Sequence, residues 1–151
     1  MLGKGLHQLR SLILSDDLAE LKTAATGLDE AAGAHIAFEE EDFYPALTAF
    51  LSKEEVDNMY AEHAHGAETL EAVKQLSDSE MQSSERREQL LQQIDEMETH
   101  VSECGELFGA MGGLDESQKD QLLLSLIRWR EIAPSWTEFA RRKSTNRASK
   151  E

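Results

Sequence analysis

The stretch 35-HIAFEEEDFYPAL-47 decides how the chain is read, because it sets four consecutive acids, Glu39, Glu40, Glu41 and Asp42, among large apolar residues. Four like charges in a row repel one another, and Phe38, Phe43 and Tyr44 beside them favour burial. Upstream, Leu21, Leu28, His35 and Asp42 fall seven residues apart, which is close to two turns of an α-helix. The acids therefore belong to a long helix over about 17–44. Ser15 and Asp16 offer side-chain oxygens to cap its start, and Pro45, without an N–H, limits its end. His35 shares a stripe with two leucines, and Glu39, one turn on, lies only about 40° from it around the helix. Both side chains can point inward together.

Helices flank this one on either side. Leu6, Leu9, Leu12 and Ile13 make a helical stripe over 5–14. Downstream, Ser52 and Glu55 form a capping box that opens a third helix, over about 53–76, with Val56, His63 and Leu70 seven apart and Met59 and Val73 beside them. "SDSEMQSS" reads as an exposed polar linker. A fourth helix over 84–111 carries Leu90, Ile94, Met97, Val101, Cys104 and Phe108 on one face and stops at Gly112 and Gly113. The expected fold is all-α: an up-down-up-down four-helix bundle over 1–113 with an additional C-terminal helical segment. That appendage, 114–144, starts at a capping pair, Asp115 and Gln118, runs through the apolar "QLLLSLIRWR", and is broken by Pro134 before "SWTEFARRK". It covers a flank or an end of the bundle, or makes a dimer contact, and the oligomeric state is open. Residues 145–151 read as a flexible tail.

Composition narrows the function. A chain of 151 residues is long enough to bury a core as one domain. Its net charge of -15 would repel phosphate backbones and anionic lipid, so neither nucleic acid nor membrane is an expected partner. No apolar run approaches the roughly 20 residues a membrane helix needs, and "MLGKGLHQLRSLILSDD" has too short an apolar core and no small-residue cleavage site for a signal peptide. With a single cysteine and so no internal disulfide, the chain suits the reducing cytoplasm.

The histidines carry the chemistry. Of His7, His35, His63, His65 and His100, four can be taken one per helix, at or beside the apolar stripes. An unpartnered ring nitrogen is costly to bury, and a shared metal ion explains one inward imidazole per helix better than packing does. Imidazole with carboxylate suits iron, zinc, copper or manganese, and facing helices of bundles recurrently build such sites. Glu39 is a candidate bridging ligand, Glu40 a group that orients a histidine, and Glu41 should turn to water. His65, about 200° from His63, should face solvent. Cys104 reads as a small buried hydrophobe, and Tyr44 and Tyr60 as packing residues.

With these residues in view, the chain resembles the hemerythrin-like, HHE cation-binding domains. "HIAFEEEDFYP" is similar to that family's signature of histidine, three residues, two glutamates, two more residues and an aromatic pair before proline. His7, His63 after Glu62, and "HVSECGELFGAM" stand where the remaining ligand helices would be. The resemblance implies a non-haem, oxo- or hydroxo-bridged di-iron centre that binds dioxygen reversibly, senses oxygen or redox state, or handles iron. It implies His7, His35, Glu39, His63 and His100 as ligands. The chain departs from the pattern in two places. Cys104 and Gly105 replace the acids of the fourth helix, leaving Glu103, about 60° from His100, or Glu106 to supply a second carboxylate. Ala67 stands where a fifth histidine often does. A mononuclear site, or another transition metal, is the alternative. Function then divides between a di-iron dioxygen binder or sensor, a peroxide-reducing or iron-oxidising enzyme, and a metal-poor interaction module using "LLLSLIRW". No dedicated acid, base or nucleophile stands outside the metal set, which weighs against the enzyme.

Overall fold

The computed structural model describes the backbone of residues 2–150, and their side chains except at 105–108, 110 and 147–150. Among the described residues the chain is all-helical, without a strand. Helix α1 (Leu2–Leu14) buries Leu6, Leu9 and Ile13 on one stripe. It turns at Asp16, whose φ of 61° is a left-handed conformation that Asp tolerates better than most residues. Asp17 then caps α2 (Leu18–Phe38) by accepting a hydrogen bond from the Glu20 N–H at 3.1 Å. Helix α2 passes without a break into one π-helical turn, Glu39–Phe43, and ends in α3 (Tyr44–Ala46).

Helix α4 (Lys53–Lys74) opens on the Ser52–Glu55 capping box expected from the sequence. The expected linker contains a short helix, α5 (Asp78–Gln82), with its own capping box from Ser77 and Glu80, and Met81 is buried beneath it. Helix α6 (Ser84–Gly109) follows, ending in a 3-10 turn, Ala110–Gly113. Helix α1 packs against α2 and α6, and α4 packs against the same two. Their shared interior has two parts. One is an aliphatic cluster that includes Leu6, Leu9, Ile13, Leu21, Leu70, Val73, Leu90 and Ile94. The other is a more aromatic cluster of Phe38, Phe43, Tyr44, Leu47, Met59 and Cys104. Each fully buried Leu or Ile contributes about 1.5–3 kcal/mol.

Helix α7 (Glu116–Ile132), capped by Asp115 and Gln118, ends at Ala133 in a left-handed conformation before Pro134, and α8 (Trp136–Lys150) turns back across α2 and α4. Two glycines allow this close docking. A Cβ at Gly33 would lie 1.9 Å from the Pro134 carbonyl oxygen, and one at Gly66 would lie 2.5 Å from the Trp136 ring. Polar contacts pin the same corner: the Thr137 N–H and hydroxyl donate to Asp29 at 2.8 and 2.7 Å, and Lys74 donates to it at 2.9 Å. Helical backbone continues through Lys150, beyond the point where the sequence reads as a tail.

Candidate metal centre

At the aromatic end of the interior, Glu39, His63, His100 and Cys104 come together. Each offers a ligand atom within 4.8 Å of the others, and all four residues are buried. Glu39 Oε2 lies 3.1 Å from His63 Nε2, His100 Nε2 lies 3.2 Å from Cys104 Sγ, and that sulfur lies 3.8 Å from Glu39 Oε2. The π turn that continues α2, and helices α4 and α6, each contribute. His100 and Cys104 meet because they are one turn apart on α6, the same spacing as His35 and Glu39.

The second nitrogen of each buried imidazole is already held. His63 Nδ1 meets Glu40 Oε2 at 3.0 Å, and His100 Nδ1 meets Glu62 Oε2 in a short contact. Carboxylates placed on Nδ1 turn both Nε2 atoms toward the common centre, the arrangement that fixes and strengthens histidine ligands. His35 Nε2 pairs with Glu39 Oε1, outside the four-donor group, and is only partly buried.

The run of four acids now has an account, residue by residue. Glu39 enters the centre. Glu40 lies between His63 and Lys143, whose ammonium donates to its other oxygen at 2.7 Å. Glu41 is exposed, with Lys143 at 3.5 Å. Asp42 accepts from the Trp129 indole at 2.8 Å. The π turn makes this possible. Its Tyr44 N–H bonds the Glu39 carbonyl, five residues back, so Tyr44 lies roughly above Glu39 on the same face, and the Tyr44 hydroxyl donates to Glu39 Oε2 at 2.7 Å.

At each ionisable group of the centre, burial and hydrogen bonding pull in opposite directions. Burial by itself would raise the Glu39 carboxyl, but hydrogen bonds from His35 and His63 hold it well below the usual carboxylate range. Burial disfavours charged His63, yet its contacts with Cys104, Glu39 and Glu40 raise it well above an ordinary imidazole. His100 is raised in the same way by Cys104 and Glu62, against burial. Burial would also raise the Cys104 thiol, and hydrogen bonds to His100 and His63 bring it below its ordinary value. Two raised imidazoles thus stand beside a lowered carboxyl and a lowered thiol, where a cation could take the place of protons. Two nitrogens, a thiolate and a carboxylate fit a transition-metal ion better than calcium or magnesium.

The structure distributes the expected ligands unevenly. Glu39, His63 and His100 meet in the centre, with His35 on the outer oxygen of Glu39. His7 is exposed on α1 and belongs to neither donor group, since Leu6, Leu9 and Ile13 define the buried face and His7 lies about 100° from Leu6. Glu103 is exposed and joins Glu62 and His100 in a second, looser group at the rim. The side chains of Glu106 and Phe108 lie outside the described residues. His65 is exposed. Cys104 enters the donor set instead of packing only as a small hydrophobe, and its four-residue spacing from His100 is the signal for that role. A cavity of about 160 Å³ beside α4 and α8 is lined by Glu40, Tyr60, His63, Trp136 and Lys143. Among the described residues no helix is long and apolar enough to cross a membrane. No family model, curated protein or solved structure matches the chain.

Proposed function

We propose that this protein is a hemerythrin-like, non-haem iron protein that binds dioxygen or reports on redox state, built as an up-down-up-down four-helix bundle with α7 and α8 laid along it. One observation carries the reading: Glu39, His63, His100 and Cys104 converge in the interior while Glu40 and Glu62 hold the outer nitrogens of both imidazoles. Structural packing alone gives no reason to bury that many ionisable groups and then orient them from behind. Iron bound there would supply one-electron redox chemistry and affinity for dioxygen. The chain itself does the rest. Glu40 and Glu62 aim the imidazoles, Lys143 neutralises Glu40, and Phe38, Phe43 and Met59 keep the surroundings apolar. A reducing compartment such as the cytoplasm would keep Cys104 a thiol.

The donor set supports one ion. The bridged pair implied by the family resemblance needs a second set, and the described residues offer only the Glu62–His100–Glu103 group, which shares His100. Iron content and an absorption spectrum of protein purified without chelator, followed through reduction and return to air, test the proposal. Close to one iron per chain, with bands that change on reduction, is the expected result. A second reading, a metal-free interaction module, is favoured by exposed Leu123, Leu124 and Ile127 on α7. Absence of metal, together with a melting temperature that chelator does not move, would decide for it, because a native-state ligand must add stability.

A further inference from the structure

Tyr44 is fully buried, and its phenol oxygen sits inside the donor group. It lies 2.7 Å from Glu39 Oε2, 3.2 Å from His63 Nε2 and 3.5 Å from Cys104 Sγ. A hydroxyl that only satisfied its own hydrogen-bonding need would require a single partner, and here three partners are contributed by three helices. The distances match a coordination shell. Donors bonded to one ion at about 2.0–2.3 Å, with angles between square and tetrahedral, stand about 2.8–3.8 Å apart. The spacings from Tyr44 to His63 and Cys104 fall in that range, as do those from Glu39 to His63 and from His100 to Cys104. Glu39 is slightly closer, as an oxygen accepting the phenol proton should be.

We infer that Tyr44 is a fifth protein ligand to the metal, bound through its phenol oxygen as phenolate. This rests on the metal-centre reading above and adds to it a hard anionic oxygen that favours a trivalent ion, hence the oxidised state of iron. On binding, the O–H bond breaks, the proton leaves to solvent, an oxygen–metal bond forms, and no electron is transferred. The π turn has a purpose in this light. In a regular helix five residues span about 500°, so Tyr44 would point about 140° away from Glu39. The extra residue in the turn brings it back onto the same side. Five protein donors would leave an octahedral ion one position for an exogenous ligand.

The chain contains two tyrosines, so the assignment is easily isolated. Wild-type protein, Tyr44→Phe and Tyr60→Phe are loaded with ferric iron alone, and iron per chain, helical circular dichroism and resonance Raman spectra are recorded. Cys104→Ser separates thiolate bands from phenolate bands. Wild type and Tyr60→Phe should show phenolate-to-iron absorption with enhanced phenolate ring modes. Tyr44→Phe should lose both while keeping its helicity and bound iron, and its iron should reduce at a higher potential. If wild type holds iron without phenolate modes, or Tyr44→Phe retains them, Tyr44 is not a ligand and the proposed metal protein stands without it. If wild type takes up no iron at all, both readings fall together.

Discussion

The two halves of the interior are built from the same helices and held by different forces. At one end α1, α2, α4 and α6 meet through aliphatic side chains, among them Leu9, Ile13, Leu70, Leu90 and Ile94. At the other, α2, α4 and α6 enclose Glu39, Glu40, His63 and His100 within an aromatic shell. Removing an aliphatic side chain loses contacts that help the fold alone. The ionisable end is expensive to desolvate, and apolar residues of similar volume would often be neutral or better for stability. A chain that keeps such a cluster in spite of that cost is pointing to function, and the intact aliphatic half shows what carries the fold meanwhile.

Breaking the aliphatic half should have the largest effect. Leu90→Ala should lower unfolding free energy by about 2–5 kcal/mol in denaturant titrations, equally with and without added metal. Next comes the polar corner where α8 docks on α2 and α4. Asp29→Ala leaves the Thr137 N–H and Lys74 without their partner and should cost about 2–3 kcal/mol, with α8 exchanging its amide hydrogens faster than α1. Inside the ionisable half, Glu62→Gln should weaken metal binding by about 10–100-fold while leaving metal-free stability little changed, which competition with a coloured chelator can read.

The pH response should report on the ionisable half, whose acids and imidazoles pull in opposite directions. His63 and His100 are raised in the metal-free fold, so their contribution is complete below about pH 6.5 and fades as pH rises through their folded values. Glu39, Glu40 and Asp29 are depressed, so theirs is present above the ordinary carboxylate range and fades on acidification. Cys104 is lowered and opposes the imidazoles as pH rises, but with two raised imidazoles against one thiol, metal-free protein should lose melting temperature from neutral to alkaline pH. Metal-loaded protein should gain over the start of that interval, because its ligands must be deprotonated. The same slope in both forms would argue that no ion displaces those protons. Smallest of all, Lys143→Met, at the partly exposed edge, should change stability by less than about 1 kcal/mol.

Much of this fold can be read without coordinates. Helix starts are written in short-range chemistry, and the Ser52–Glu55 and Asp115–Gln118 boxes stand where the sequence places them. The Ser77–Glu80 box is equally explicit, yet it is hidden in a polar stretch whose one apolar anchor, Met81, gives no periodicity. Three of the four donors are similarly legible: Glu39, His63 and His100 lie on stripes, and the expectation that Glu40 orients a histidine matches its contact with His63. His7 shows the limit of counting one histidine per helix, since phase on α1 outweighs the count. Tyr44 shows a different limit. Its position depends on a single π turn, and nothing in 39-EEEDF-43 announces five residues in a turn instead of four.

That turn has a consequence for how the chain tolerates change in length. Deleting Glu41, an exposed residue, would let 39–44 rewind as ordinary helix with both ends still seated in the interior. The phenol would stay over the carboxylate, because Tyr44 would then stand four residues from Glu39, about 40° around the helix, so a one-residue loss at this place would leave the two oxygens paired and the scaffold upright.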